Sequence, residues 1–563
     1  MIDLTDVMEL PYSAALYIYG TGRGGRLIHD ALWDRDDITV LGFIDSSKPG
    51  TLRGLPVYTP DVLKTSLDRL IIVASAYWEE IGAALAQRGF TNIWNAVSLV
   101  DRRVDSFPAR LSVAHHFPAP EKLNAMLRGF IPKDAVCPQL RLAGSPENRR
   151  SRDAISSLLD HPENAREIVA IGYWGRSGSF LLSNLFDRHP QVLSVPPHGL
   201  QWVVQFFAIW FSEQEEFGHS VTIDTFVSRL MEVFQNLFKD SQDSFHAVQF
   251  QCGRDRELAP GIDSSDFEAN FRYSLHELDR GGRLTLANIF RAIHVAYAAS
   301  SGQILTTEAP VIVWQAHDLR TGRRELLRHI LGPVRFVLCV RYPERAFNAH
   351  LQWYLTDRPT RLRNVMSAPR IVLGYMCDTD HQVDPDERLT VIRFEDMHNH
   401  TEAVMRALIS WLDLDWDPVL LETTCDGHLA WVKSGAKYVT GTSPASRSSP
   451  RLANLSSADR LRARYLLRDV YRDWYGEEPF GSLPKIGGIS ACLEWAAATI
   501  PYLFHHRMAR QGGWKTRLHA LAVFVDESFQ MAKMFRAEAR RRRRGSCSQP
   551  LLPIAGVKRQ LGD

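Results

Sequence analysis

The segment IVAIGYWGRSGSFLLSNLFDRHPQV, residues 168–192, joins an apolar run to a turn of Gly, Arg and Ser, and then to a second apolar run that stops at Pro190. A strand that feeds a helix through such a turn aims backbone N–H groups outward, and the helix dipole adds partial positive charge. Arg176 supplies a forked, permanent cation. Ser177 and Ser179 add hydroxyl donors, and Gly178 lets the backbone come close to a ligand. Together these residue types make an anion cradle. A nucleoside-triphosphate loop would instead place Lys after the last Gly, then Ser or Thr for magnesium. Here Ser179 and Phe180 follow Gly178, and the later apolar run FVLCV ends in Arg341 rather than in a metal-holding Asp. The pattern points to a metal-free transfer of a charged group.

A second glycine-rich turn lies near the N-terminus. Gly20, Gly22 and Gly25 form GxGxxG after the run LYIY, and Asp45 ends the next apolar run. Small residues let a phosphate approach the N–H groups of a helix start, and the acid can accept ribose hydroxyls. A tight strand–helix turn without a ligand explains the same residues equally well.

The elements that must position these groups read as two α/β patterns. Over residues 14–97, AALYIYGTGRGGRLIHDAL is strand, turn and helix. ITVLGFIDSS is a second strand, RLIIVASAYWEEIGAALAQRGF a third with its helix, and TNIWNA a short last strand. Strands alternating with helices imply a parallel sheet. Residues 101–165 hold several Pro and Gly and read as a connector with some helix. The second pattern starts at Ile168. It continues with helical regions near 222–240 and 283–299, the strands PVIVWQ, VRFVLCV and LTVIRF, and the helix TEAVMRALISWLDL. SADRLRARYLLRDVYRDWYG is an amphipathic helix closing it. Two further helices are expected near 490–507 and 514–543, the second ending in EARRRRRGSC.

Composition narrows the classes. A chain of 563 residues is too long for one core and suggests two or three domains. Hydrophobic residues at 45% and charged residues at 23% are a normal globular balance, and a net charge of +2 argues against a nucleic-acid partner. The seven cysteines are scattered without a CxxC pair, which favours reduced thiols, a cytoplasmic setting and no zinc. The early residues carry acids and no basic stretch, so no secretory leader is read, and no apolar run reaches membrane-spanning length. Arg540 to Arg544 sit on an amphipathic pattern that suits peripheral contact with anionic lipid; a solvated basic tail is the plainer account.

On these residues the chain resembles the sulfotransferase family, whose donor is 3′-phosphoadenosine 5′-phosphosulfate. GRSGSFLLSNLFDRHPQV matches the family's phosphosulfate loop, and FVLCVRYPERAFNAHL its strand–Arg–x–Pro signature. VIRFEDM with ALISWLDLDWDP matches a third, mostly structural segment. The three occur in order over roughly residues 166–478. The resemblance implies that Arg176, with Ser177, Gly178 and Ser179, holds the 5′-phosphosulfate, and that Arg341 binds the 3′-phosphate. Two positions depart from the family: Phe180 stands where Thr or Ser is usual, and Ala349 where a serine usually meets the 3′-phosphate. Asn348, His350 and Arg345 lie beside that gap. A basic loop near the end of such domains has its counterpart in WVKSGAKYVTGTSPASRSS, with Lys433, Lys437 and Arg447 as candidate phosphate contacts.

The acceptor hydroxyl must lose a proton, which His or Glu can take near neutral pH. In the family the base often follows the loop helix, and there His198 is the first candidate; His317, after PVIVWQ, is the second, and His189 is set aside because it ends the helix. Aromatic residues near the motifs, among them Trp174, Trp202, Phe206, Phe207, Trp210 and Trp353, would suit a sugar cleft or simply a core.

The first hundred residues resemble the Rossmann-like N-terminal domains of sugar acyltransferases and nucleotide-sugar enzymes, through IYGTGRGG, LGFIDSS, GLPVYTPDVL and IIVAS. This implies a nucleotide site at Gly20, Gly22, Gly25 and Asp45, and a carbohydrate or glycolipid acceptor for the transfer. The expected fold class is α/β, with two parallel-sheet domains, the first Rossmann-like and the second P-loop-like, and a helical extension. The expected boundaries are 1–105 for the Rossmann-like domain, 106–165 for a connector, 166–480 for the sulfotransferase-like domain and 481–563 for the basic extension. Two other functions fit the residues less well. One is a non-catalytic module of the same fold, kept open by Phe180 and Ala349. The other is an ATP-dependent kinase, opposed by the missing Lys and metal-holding Asp.

Overall fold

The computed structural model describes residues 2–97 with short breaks, parts of 124–143, then 149–173, 177–197, 199–217, 222–239, 250–317, 319, 321–356, parts of 370–377, 388–434, 437–442, 455–477 apart from 456, and 552–553. The chain divides into two compact units, Met1–Ser112 and Val113–Asp563. The helices expected near 490–507 and 514–543, and Arg540 to Arg544, lie outside the described residues.

The first unit is built on seven strands: β1 (Ile2–Asp3), β2 (Ala15–Tyr19), β3 (Thr39–Ile44), β4 (Gly50–Leu52), β5 (Leu55–Tyr58), β6 (Leu70–Val73) and β7 (Ile93–Asn95). Their order in the sheet is β1-β7-β6-β2-β3-β5-β4. All pairs are parallel except the β4–β5 hairpin. Alternation along the strands sends Leu16, Ile18, Leu70 and Ile72 to one face, where Ile28 and Leu32 of helix α1 (Arg23–Leu32) cover them. Tyr17, Tyr19, Ile71 and Val73 face the other way, against Leu85 of α2 (Trp78–Gln87). Both faces of the sheet are therefore buried, as a parallel sheet requires.

The second unit centres on a five-stranded parallel sheet. Its strands are β8 (Glu167–Tyr173), β9 (Val192–Ser194), β11 (Val311–His317), β12 (Val334–Val340) and β13 (Leu389–Arg393), in the order β13-β12-β8-β11-β9. The order reverses around β8: the chain first moves toward β9, then crosses to β12 and β13. In such sheets ligands sit beyond the carboxyl ends of the strands at the reversal. A smaller antiparallel sheet is formed by β10 (Phe250–Cys252), β14 (Thr424–Cys425), β15 (His428–Ser434) and β16 (Lys437–Val439).

Helices of the second unit are α3 (Arg149–Asp160), α4 (Ser179–Leu185), α5 (Val203–Phe217), α6 (Ile223–Val233), α7 (Ser264–Arg280), α8 (Leu286–Ser301), α9 (Thr321–Leu331), α10 (Pro343–Thr356), α11 (Phe394–Asn399), α12 (Thr401–Leu412), α13 (Ser457–Leu466) and α14 (Arg468–Tyr475). One sheet face, carrying Val169, Ile171, Val313, Val337, Cys339 and Ile392, packs on Leu182 and Leu185 of α4, Met397 of α11 and the apolar stripe of α12. Leu552, far along the chain, joins this cluster. On the other face Trp314 meets Phe290 of α8, edge to face at 5.1 Å. Phe206 and Phe207 are fully buried and Trp210 nearly so, packed around Phe226, which makes them core rather than a sugar cleft.

The expected strands in this unit match β8, β11, β12 and β13. SADRLRARYLLRDVYRDWYG forms two helices instead of one, breaking at Leu467 between α13 and α14.

Candidate active site

The turn after β8 enters α4 through Gly178, whose φ of +90° lies in the left-handed region. A Cβ there would meet Met397 Cε and Phe394 Cδ2, each at 2.8 Å. Position 178 thus needs glycine twice over, for its backbone and for the wall behind it. The Ser177 hydroxyl donates to the carbonyl of Cys339 on β12, at 2.6 Å, and Ser177 is fully buried. Gln315 of β11 donates through Nε2 to the Ser179 hydroxyl at 2.8 Å. The turn is therefore fastened to both strands that flank β8.

Arg341 follows β12 directly. It is 9% exposed, and its guanidinium lies over the Phe394 ring, 4.6 Å from the centroid. A desolvated arginine on an aromatic face is held by the ring quadrupole as well as by charge. The residue after it is fixed from several sides. The Tyr342 N–H donates to Glu395 at 3.0 Å and its hydroxyl to Glu477 at 2.9 Å. Its ring stands edge-on to Tyr471 and Tyr475. Burial, then the hydrogen bond to Glu477, push the Tyr342 phenol well above its ordinary range, so it stays protonated. Pro343 opens α10, where a missing N–H costs nothing. Asn348 of this helix is buried and Arg345 half-buried.

Helix α11 is anchored by a buried pair. Arg393 donates to Asp396 through two nitrogens, at 2.9 and 2.6 Å, and to the Trp474 carbonyl at 3.0 Å. Phe394, Glu395 and Met397 are thereby presented to the turn and to the β12–α10 junction.

Ser177, Gly178, Ser179 and Arg341 come together at the carboxyl ends of neighbouring strands, while Arg176 and His198 lie outside the described residues. His317 is the last residue of β11, opposite Gly172 of β8. Lys433 lies on β15 opposite Tyr438, Lys437 begins β16, and Arg447 lies outside the described residues. His189 is fully buried. Its Nε2 donates to the Asp415 carbonyl at 3.0 Å and its Nδ1 accepts from the Gln191 N–H at 3.2 Å. Burial holds its pKa below the usual value, and its place is structural.

In the first unit, Gly20 has φ +113°, and a Cβ on Gly25 would overlap the Gly20 carbonyl. Asp45 accepts from the Thr21 hydroxyl, tying the end of β3 to the turn after β2; Gly22 lies outside the described residues.

Phe394, Glu395, Met397 and Gln315 were not singled out by sequence. The first three sit in VIRFEDM, whose hydrophobic–acidic alternation marks a strand end but not its neighbour across the sheet.

The sheet order and the two converging turns define an α/β fold of the P-loop-like class. Within it, residues 168–418 match the family model described as "Sulfotransferase family", a match that supports a transferase enzyme. The chain is also similar to three solved structures. For the sulfotransferase domain from the curacin biosynthetic pathway, identity is 13% over 46% of this chain and 77% of that one, with a TM-score of 0.25. For the sulfotransferase STF9 from Mycobacterium avium the values are 16%, 48%, 72% and 0.25. For the sulfotransferase domain from the Synechococcus PCC 7002 olefin synthase they are 15%, 53%, 92% and 0.26. Likeness at this level adds nothing to the family match. No curated protein sequence matches the chain.

Proposed function

We propose that the second unit moves a sulfuryl group from 3′-phosphoadenosine 5′-phosphosulfate to a hydroxyl of a carbohydrate or glycolipid, by in-line displacement and without a metal. The observation that carries this reading is the fastening of the Ser177–Ser179 turn to β12, which brings the turn and Arg341 to adjacent strand ends. In this reading Arg176 and the backbone N–H groups of the turn bind the sulfonated end of the donor. Arg176 stabilises charge on the bridging oxygen as it leaves. The Ser177 side chain serves the turn itself, and Ser179 retains a proton to donate. Arg341 takes the 3′-phosphate, with Asn348 and Arg345 from the following helix, and Lys433 and Arg447 as outer contacts. His198, or else His317, removes the acceptor proton as the oxygen attacks sulfur. The Gly20–Gly25 turn and Asp45 of the first unit form a separate nucleotide site. Arg540 to Arg544 bring the enzyme to an anionic membrane surface on the cytoplasmic side. No helix among the described residues is long and apolar enough to cross a membrane.

Calorimetry with 3′,5′-adenosine diphosphate in the absence of metal tests the donor assignment. The wild-type chain should bind, and Arg176→Ala and Arg341→Ala should each bind more than tenfold more weakly, since a charge-assisted hydrogen bond contributes about 1.5–3 kcal/mol. A wild-type chain that fails to bind removes the assignment. Transfer to a glycan panel, with His198→Gln and His317→Gln as comparisons, then tests the acceptor class and the base.

A further inference from the structure

Among the described strands, β13 lies at the edge of the five-stranded sheet, with its inner side paired to β12, Val391 opposite Leu338. An edge strand leaves a row of backbone groups open to other chains. Here the Leu552 N–H donates to the Val391 carbonyl at 2.9 Å. The Leu552 side chain is 1% exposed and sits in the cluster that contains Met397, Val404 and Leu408, with Phe394 packed against it. Phe394 and Met397 are the two side chains that close on Gly178, and Phe394 also carries Arg341. One apolar cluster therefore backs the turn, supports the arginine and receives a residue from the far end of the chain.

We propose that Leu552 is a clasp: a positioning residue that sets the anion cradle by holding β13 and α11 in place. It touches no reacting atom. With Leu552 seated, Phe394 and Met397 are pressed toward the turn and the Phe394 ring stays under Arg341. With Leu552 removed, the cluster has a gap at the sheet edge, and α11 can relax toward it and away from Gly178. A gap in close-packed apolar surroundings is felt by its neighbours because dispersion contacts are lost outright.

The functional arm of the test rests on the donor reading above, so a second arm is independent of it. The full chain is compared with Leu552→Asp, Leu552→Ala and Leu552→Met. In calorimetry with 3′,5′-adenosine diphosphate, Leu552→Asp and Leu552→Ala should bind at least fivefold more weakly, and Leu552→Met within twofold of wild type. In hydrogen exchange without nucleotide, the first two should speed exchange in Phe394–Asn399 and Ser179–Leu185 and leave Ser264–Arg280 unchanged. If Leu552→Asp does not fold, Leu552→Ala carries the same comparison. Unchanged exchange in α11, or equal acceleration throughout the unit, overturns the clasp. If α11 and Ser179–Leu185 both accelerate but no chain binds the nucleotide, the donor reading fails and the clasp stands.

Discussion

Replacing Gly178 with alanine tests the cradle at its tightest point. Two costs can be worked from the geometry. The residue has φ +90° and ψ 15°, and an L-residue held at positive φ costs about 1–2 kcal/mol. The new methyl would lie 2.8 Å from both Met397 Cε and Phe394 Cδ2, closer than van der Waals contact, and overpacking of this kind costs about 1–3 kcal/mol. The expected loss is about 2–5 kcal/mol, seen as a lower denaturant midpoint with an unchanged slope. Because Phe394 must move and Arg341 rests on it, 3′,5′-adenosine diphosphate should bind more weakly as well. The two costs can be separated. Met397 ends in a flexible methyl, so adding Met397→Ala to Gly178→Ala should return part of the steric cost and none of the backbone cost. The double variant should therefore be less destabilised than the sum of the two single variants. If Gly178→Ala unfolds at the wild-type midpoint, or if the two changes are simply additive, this account of the turn is wrong.

Three other outcomes follow from described contacts. Ser177→Ala removes a buried donor from the Cys339 carbonyl and should cost about 1–3 kcal/mol in urea unfolding. Asp396→Ala leaves Arg393 buried without its bidentate partner and should cost about 3–5 kcal/mol, read the same way; a cost below 1 kcal/mol would mean that the pair does not anchor α11. His294, fully buried on α8, has its pKa pushed down to about 4 by burial, against the hydrogen bond that its Nδ1 gives to the Phe290 carbonyl. Its folded pKa is depressed and it is neutral when folded, so the unfolded chain binds the extra proton. Stability should therefore fall as pH drops from the ordinary histidine value toward about 4, by about 2 kcal/mol between pH 7 and pH 5. His294→Leu should remove that slope; an identical slope in the variant would place its origin elsewhere.

The parallel strands of the second unit were readable because they are buried on both faces. IVAIGY, PVIVWQ, VRFVLCV and LTVIRF are near-continuous apolar runs bounded by turn residues, and they are β8, β11, β12 and β13. The small antiparallel sheet was not readable. Its strands are two to seven residues long, and β10 joins β15 across a large separation, Cys252 opposite Ala430. Helix α7 does carry a sequence signal: Asp263 caps it through bonds from Ser265 and Asp266, and Phe267, Phe271, Leu275 and Leu278 recur on one face. The residue types at 176–179 and 341 stand in the sequence as a candidate cradle. Its support could not, because Phe394, Met397 and Gln315 reach it across the sheet and no local spacing records that.

The seat of Leu552 on Val391 also bears on how the domain is made. β13 can pair with β12 as soon as residue 393 is available, but the Val391 carbonyl receives the Leu552 N–H only roughly 160 residues later. At a synthesis rate of about 5–20 residues per second, that interval lasts about ten to thirty seconds. Throughout it the Val391 carbonyl lacks that partner, on the apolar strand LTVIR, which could pair with the same strand on a neighbouring polysome chain. Chains cut short before Leu552 would lack that bond permanently, so their characteristic fate should be association through β13, with loss of yield preceding any loss of fold.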